Sequence, residues 1–132
     1  MLTLEQIKEK FTDLSSENLP AFLECFKEDL KYTATGTAGR FCGTYNSRSE
    51  LFEKIYAPII ACLAGPMSAE VTNVCVCGEW AVIELTATGP TKKGGNYRQE
   101  MCWVCRYEGD QIAEMRYYGD TAATERLLNE NS

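Results

Sequence analysis

The stretch Trp80–Thr88 reads Trp-Ala-Val-Ile-Glu-Leu-Thr-Ala-Thr, and the rest of the chain can be organised around it. Apolar and β-branched residues dominate it, and the next proline is Pro90, so the stretch is predicted to form a β-strand. Side chains alternate between the two faces of a strand, which places Glu84 on the same face as Val82 and Thr86. A carboxylate in the middle of such a strand points either to water or into a cavity, and we expect a cavity.

Other segments with the composition of strands accompany this one: Met67–Cys77, Asn96–Tyr107 and Gln111–Tyr118. Tight turns containing glycine are predicted at Gly78-Glu79 and at Glu108-Gly-Asp. Short connections of this kind join strands that are neighbours in space. The second half of the chain is therefore predicted to be a four-stranded antiparallel meander.

The first half of the chain is predicted to be mainly helical, because apolar residues recur at helical spacing. Three helices are predicted: the first begins at Thr3, the second runs from Asn18 to about Lys27, and the third runs from about Ser49 to Leu63. Pro58 would kink the third helix or begin a second segment within it. A short strand, Lys31–Thr35, precedes that helix, and Asp120 is the natural N-cap of a short closing helix. This order predicts a single α+β domain over residues 1–132.

The composition excludes several classes of partner. The net charge of −6 disfavours binding to nucleic acid or to an anionic membrane surface. No apolar run approaches the roughly 20 residues that a membrane span needs. The N-terminal sequence Met1–Glu5 has neither a basic start nor an apolar core, so we expect no signal peptide and a cytoplasmic location.

Histidine is absent and cysteine is abundant, with seven residues. The absence of histidine removes Ser-His-Asp and Cys-His nucleophilic sites and histidine-ligated metals, so we expect neither a metal nor another cofactor. An odd number of cysteines favours reduced thiols over a disulfide framework. Cys102 and Cys105 match a CxxC pattern, but residues three apart on a strand point to opposite faces, so both are predicted to be unpaired. Cys75 and Cys77 are interpreted as core residues.

Several segments carry a resemblance to a known family: Gly36-Thr37, Cys42–Tyr45, Ala81–Leu85, Tyr97–Tyr107 and Tyr117–Ala122. Together they resemble the SnoaL-like branch of the nuclear-transport-factor-2-like (ketosteroid isomerase-like) superfamily, over nearly the whole chain. The resemblance implies a cone-shaped, curved antiparallel sheet with three helices from the first half and a short C-terminal helix around a pocket. It also implies a homodimer formed through the sheet. Members include polyketide cyclases, ketosteroid isomerases, epoxide hydrolases and proteins without catalysis.

The chain departs from the catalytic patterns of these members. The strand in which ketosteroid isomerases carry a basic Asp reads Tyr32-Thr-Ala-Thr35 here, and their oxyanion-binding Asp aligns with Trp103. Limonene-type epoxide hydrolases need an Arg flanked by two Asp, and the Asp of their last strand aligns with Tyr117. Cyclases often have a His in the loop before the third helix, where this chain has Arg40. None of these mechanisms transfers directly.

The strand positions of the resembled family imply which side chains point into the pocket. These are Val82, Glu84 and Thr86 on one strand, Tyr97, Gln99, Met101 and Trp103 on the next, and Met115 and Tyr117 on the last. Glu84 is the candidate proton carrier, since an apolar pocket suits a carboxylate that shuttles protons. Arg40 and Tyr117 are the candidates for stabilising a substrate oxygen, and Tyr32 joins the substrate-binding set. The alternatives are a solvated or ion-paired Glu84 and a surface Arg40.

Two classes of function follow. The first is a cofactor-free isomerase or cyclase of secondary metabolism, acting by acid–base chemistry on a bulky, mostly apolar polyketide, terpenoid or alkaloid intermediate. The second is a pocket protein without catalysis, either a binder of small molecules or a dimerisation module. Epoxide opening is a third hypothesis. An exposed Glu84 would remove the main residue of the enzyme hypothesis.

Overall fold

The computed structural model describes residues 3–12 and 19–131, and it has the predicted α+β architecture. Its helices are α1 (Leu4–Thr12), α2 (Leu19–Glu24), α3 (Arg48–Leu51), a π-helical segment (Phe52–Tyr56), α4 (Ala57–Ile60) and α5 (Thr121–Glu130). Its strands are β1 (Phe26–Ala34), β2 (Gly43–Tyr45), β3 (Ser68–Cys77), β4 (Trp80–Pro90), β5 (Asn96–Glu108) and β6 (Gln111–Gly119). Asn18, the predicted start of the second helix, lies outside the described residues.

The six strands form one sheet in the order β2-β1-β6-β5-β4-β3. The run β3 to β6 is the predicted antiparallel meander. β1 was predicted to be short, but it starts at Phe26 and pairs with β6 in parallel, which the sequence did not suggest. Shifts in register interrupt the β1–β6, β3–β4 and β5–β6 ladders. Such bulges bend strands, and the result is a curved, unclosed sheet whose concave face can hold a core and a cavity.

The concave face is defined by alternation along the two central strands. Ile83 and Leu85 on β4 are buried, and they pair with Trp103 and Met101 on β5. Directly paired residues of neighbouring strands lie on the same face of a sheet. The predicted alternation on β4 is therefore confirmed, but the face chosen as inward was wrong. The apolar set of β4 faces the core, and Glu84 faces away from it.

The third predicted helix is broken into three consecutive pieces, as Pro58 suggested. Ser47 caps its start by accepting a hydrogen bond from the backbone N–H of Glu50 at 3.0 Å. The backbone N–H of Ala57 bonds to the carbonyl of Phe52, which is π-helical spacing. Proline has no N–H to donate to the carbonyl four residues earlier, so the wider turn comes immediately before Pro58. This turn brings Tyr56 towards the concave face of the sheet.

The closing helix α5 begins where the sequence predicted. Asp120 is its N-cap and accepts a hydrogen bond from the backbone N–H of Ala123 at 3.1 Å. Leu127 and Leu128 are buried in a small cluster with Tyr97, so one face of α5 covers the end of β5. No helix in residues 3–12 and 19–131 is long and apolar enough to cross a membrane.

Candidate functional site

A cavity of about 130 Å³ lies between the concave face of the sheet, the helical segments around Tyr56 and the start of α5. We call it the chamber. Its walls are mainly apolar and aromatic, and they include Phe22, Ile55, Ile59, Leu85, Met101 and Trp103. Its exposed lining residues are Arg40, Ser68 and Thr121, which mark the rim. A concave apolar space with a few polar groups is typical of a site for a small molecule.

Three tyrosines line the interior of the chamber: Tyr32, Tyr56 and Tyr117. The rings of Tyr32 and Tyr117 are stacked, with centroids 6.3 Å apart. Tyr45 and Tyr97 use their hydroxyls in hydrogen bonds within the protein, but these three hydroxyls form none with other described residues. They are the donors that a ligand oxygen would meet.

Burial controls the charge of these phenols. It raises the pKa of Tyr32 and of Tyr56 well above the ordinary value of 10.0, and the neighbouring ionisable groups raise it further. Burial also raises the pKa of Tyr117, with smaller contributions from Tyr97 and Asp120. A phenol in an apolar site resists losing its proton because the anion is poorly solvated there. All three are therefore neutral hydrogen-bond donors at physiological pH.

Gln99 holds one end of the chamber together. Its Nε2 has two N–H groups for three acceptors within hydrogen-bond distance: the hydroxyl of Tyr97 at 2.9 Å, the backbone oxygen of Asp120 at 3.1 Å and Thr124 Oγ1 at 3.0 Å. Its Oε1 accepts from the backbone N–H of Asp120 at 2.6 Å. The side chain is 2% exposed. Gln99 lines the chamber as predicted, but its amide is used to anchor the start of α5.

An ion pair lies at the rim. Arg40 donates from Nε to Glu125 Oε2 at 2.9 Å and from its backbone N–H to Oε1 at 2.8 Å. Its Nη2 donates to Asn129 Oδ1 at 2.9 Å. The backbone and side-chain hydrogen bonds from Arg40 lower the pKa of Glu125. These contacts tie the loop that carries Arg40 to α5, and we call them the rim latch.

Most of the predicted pocket residues line the chamber: Tyr32, Arg40, Tyr97, Gln99, Met101, Trp103 and Tyr117. Met115 points inward but is fully buried in the core, outside the lining. Val82, Glu84 and Thr86 were placed wrongly. They lie on the outer face, where Val82 is 37% exposed and Glu84 accepts a hydrogen bond from Asn73 Nδ2 at 3.1 Å.

Among the polar lining residues that sequence reasoning missed are Tyr56, Thr124 and Glu125. Tyr56 depends on the π-helical turn, for which Pro58 was the available signal. Glu125 faces the rim because the bonds of Gln99 to Asp120 and Thr124 fix where α5 begins. Cys102 and Cys105 are free thiols on opposite faces, as predicted, whereas Cys75 and Cys77 are exposed and do not belong to the core.

The described residues do not bring together three or more potential metal-ligating side chains of Asp, Glu or Cys. Within the lining, the carboxylate is that of Glu125 and the guanidinium is that of Arg40. The chemistry available to the chamber is therefore hydrogen-bond donation by neutral phenols inside it and a coupled acid–cation pair at its rim.

The fold and this chamber define a class of proteins, and comparison with known families agrees. The chain belongs to the SnoaL-like domain family, whose model matches residues 7–115. A comparison with curated protein sequences finds no match.

Solved structures with the same fold are distant in sequence. A protein of unknown function with a cystatin-like fold from Xanthomonas campestris has 17% identity and a TM-score of 0.74, over 97% of this chain and 98% of that one. TerC, co-crystallised with polyporic acid, has 16% identity and a TM-score of 0.70, over 92% of each chain. A protein assigned as a SnoaL-like polyketide cyclase from Jannaschia sp. CCS1 has 15% identity and a TM-score of 0.64, over 83% of this chain and 76% of that one. These similarities establish the fold.

Proposed function

We propose that the chain binds a compact, mostly apolar molecule with at least one carbonyl oxygen, and that it acts on this molecule as a cofactor-free isomerase or cyclase. The observation that carries the proposal is the set of three phenol donors, Tyr32, Tyr56 and Tyr117, in an otherwise apolar chamber. Donors that face a cavity and have no partner among the described residues favour a ligand that supplies acceptors, because each hydrogen bond contributes about 0.5–1.5 kcal/mol.

The size of the chamber narrows the ligand. Its volume of about 130 Å³ is close to that of an engineered cavity of about 150 Å³ that admits benzene. A single ring with a small carbonyl substituent matches this space better than the bulky intermediate expected from the sequence. The secondary-metabolite origin of such a molecule and a cytoplasmic location stay predictions.

The donors define what the chamber could do to a bound carbonyl compound. Hydrogen bonds from neutral phenols to the carbonyl oxygen stabilise the negative charge that develops there as an enolate forms. The proton must leave the adjacent carbon, and the carboxylate of the lining, Glu125, is weakened as a base by its bonds to Arg40. The arrangement therefore suits a carbon acid flanked by two carbonyl groups, whose proton water can remove. Epoxide opening is not proposed, since it needs two carboxylates around an arginine.

The second candidate is binding without turnover. It is favoured by the exposed position of Glu84, which leaves the interior of the chamber without the expected proton carrier. In this case the tyrosines would orient a ligand and nothing more. The two candidates share the binding site and differ only in whether a proton moves.

We also propose that the outer face of the sheet forms a homodimer. Val82 and Tyr118 are exposed there, and exposed apolar residues that share a face favour an interface. Light scattering after size exclusion should give twice the mass of 14.8 kDa. Val82→Lys should give the monomer, and a monomeric wild type would reject this proposal.

Binding is tested with acetophenone and with α-methylstyrene, which has the same shape but lacks the oxygen. Each is titrated into the protein, and the methyl signals of Met101 and Ile59 are followed by nuclear magnetic resonance. We expect acetophenone to bind more tightly by about 2- to 12-fold per hydrogen bond. Tyr117→Phe and Tyr32→Phe should reduce the difference, whereas the exposed Tyr118→Phe should not. Equal affinity for the two probes would refute the role of the phenols.

Turnover is tested on 2-acetylcyclohexanone, a single ring whose C2 proton lies between two carbonyl groups. In deuterated water, hydrogen bonds to a carbonyl oxygen should accelerate exchange of this proton, and Tyr117→Phe should slow the exchange. Acceleration by a general acid is on the order of 10²-fold or more. Tight binding with exchange at the rate of buffer alone would establish the binder and reject the enzyme.

A further inference from the structure

Gly119 lies directly beneath the hydroxyl end of the Tyr117 side chain. A methyl group built on Gly119 would be 2.5 Å from Tyr117 Cζ and 2.7 Å from Cε1, and it would be nearer still to the hydroxyl oxygen. Carbon atoms do not approach this closely without a shift. The phenol of Tyr117 thus lies along β6 and occupies the space that a side chain at position 119 would take.

The backbone of Tyr117 is held in place, so a clash at Gly119 would move the side chain. Its carbonyl oxygen accepts two hydrogen bonds from Thr35, from the backbone N–H at 3.0 Å and from Oγ1 at 2.7 Å. Gly119 pairs with Met101 and Tyr117 pairs with Trp103, and both partners line the chamber. Gly119 therefore lies on the concave face of the sheet.

Another neighbour of the phenol is the ring of Tyr32, stacked on it. A Tyr117 ring pushed off Gly119 must leave this stack, either towards another wall of the chamber or into the cavity. The staggered rotamers of Tyr leave few other positions. Either movement removes the hydroxyl from its place, and the second also fills a space of about 130 Å³.

We propose that Gly119 is a specificity-determining position of the chamber. By lacking a side chain it keeps Tyr117 flat along β6, which preserves the free volume and holds the hydroxyl over Gly119, with the ring stacked on that of Tyr32. The chamber consequently selects single-ring ligands whose oxygen lies at the Tyr32–Tyr117 end. The choice of ligand in this inference rests on the proposed binding function. The position of Tyr117 rests on the geometry at Gly119 alone.

The test compares Gly119→Ala in two backgrounds. In the wild type, this substitution should weaken acetophenone binding by about tenfold or more, since an overpacked site typically loses 1–3 kcal/mol. In a Tyr117→Leu background, where the smaller side chain leaves room, Gly119→Ala should change the affinity by less than about twofold. Gly95→Ala, the same substitution at a glycine outside the chamber, is the matched control and should bind like the wild type.

A ligand-free measurement separates the two proposals. Nuclear Overhauser contacts between the Tyr117 ring and the α-protons of Gly119 should be present in the wild type, and ring contacts between Tyr117 and Tyr32 should be lost in Gly119→Ala. Persistence of the Tyr117–Tyr32 contacts in that variant, or an equal loss of affinity in both backgrounds, would overturn the inference. If the contacts behave as expected but the wild type binds neither probe, the proposed function fails and the positioning by Gly119 stands.

Discussion

Replacing Gln99 with Leu should detach the start of α5 from the sheet. The substitution keeps the approximate shape of the side chain but removes the two N–H donors, which three acceptors share, and the oxygen that accepts from Asp120. The hydroxyls of Tyr97 and Thr124 can still bond to each other, since they are 3.1 Å apart. The backbone N–H of Asp120 has no such replacement, because the acceptor of its hydrogen bond is Gln99 Oε1.

The expected cost combines these losses. An unsatisfied buried donor costs about 1–3 kcal/mol, and each lost hydrogen bond adds about 1 kcal/mol. The greater hydrophobicity of Leu offsets part of this sum, so we expect the free energy of unfolding to fall by about 2–4 kcal/mol. For a domain of this length, with an unfolding entropy of about 2.1 cal/mol/K per residue, a loss of 3 kcal/mol lowers the Tm by about 10 °C.

The assay is urea and thermal unfolding followed by circular dichroism. Gln111→Leu is the matched control: Gln111 donates to backbone oxygens near the surface, and we expect a cost below about 1 kcal/mol there. If the free energy of unfolding of Gln99→Leu is within about 1 kcal/mol of the wild-type value, then the hydrogen bonds of Gln99 do not hold α5, and another contact must position the rim latch.

The other predictions concern charge. Glu84→Gln should leave folding and probe binding unchanged, because Glu84 is exposed and a glutamine oxygen can also accept the hydrogen bond from Asn73. Loss of probe binding in this variant would show that Glu84 belongs to the binding site. Arg40→Met should open the rim latch and speed both association and dissociation of acetophenone in stopped-flow or line-shape measurements, whereas unchanged rates would show that the latch gates nothing. The rim latch should contribute a constant amount to the free energy of unfolding at neutral pH. This contribution should fall as pH drops below 4.5, because the pKa of Glu125 is lowered in the folded protein and protonation of its carboxylate breaks the ion pair. At high pH the effect on stability has the opposite direction. The pKa values of Tyr32 and Tyr117 are raised in the folded protein, so the unfolded chain loses these protons first and stability should decline above pH 10. An ultraviolet titration should show these phenols ionising only as the protein unfolds.

Local patterns in the sequence were sufficient for the four strands of the meander, the tight turns and the cap at Asp120. The choice of inward face on β4 failed because Glu84 was weighed by its neighbours along one face, while the other face is apolar at every position. The pairing of strands also contains the answer. Since Ile83 lies opposite Trp103, an inward Trp103 requires an inward Ile83 and an outward Glu84.

Other parts of the site have no local signature. The orientation of Tyr56 depends on a π-helical turn, and the use of the Gln99 amide depends on where α5 crosses β5. The packing of Tyr117 over Gly119 is a relation between two residues that alternation alone places only on the same face. Each of these features is decided by tertiary contacts, which a pattern of residue types does not encode.

The parallel pairing of β1 with β6 has a consequence for how the protein is made. Thr35 bonds to Tyr117, which lies 82 positions later in the chain. During synthesis, which proceeds from the N-terminus at about 5–20 residues per second, β1 must wait for its neighbour until nearly the whole polypeptide has left the ribosome. The meander can assemble from hairpins as each emerges, but the chamber comes into existence only at the last step. Nascent chains stalled before β6 should therefore be captured by chaperones through the bare edge of β1.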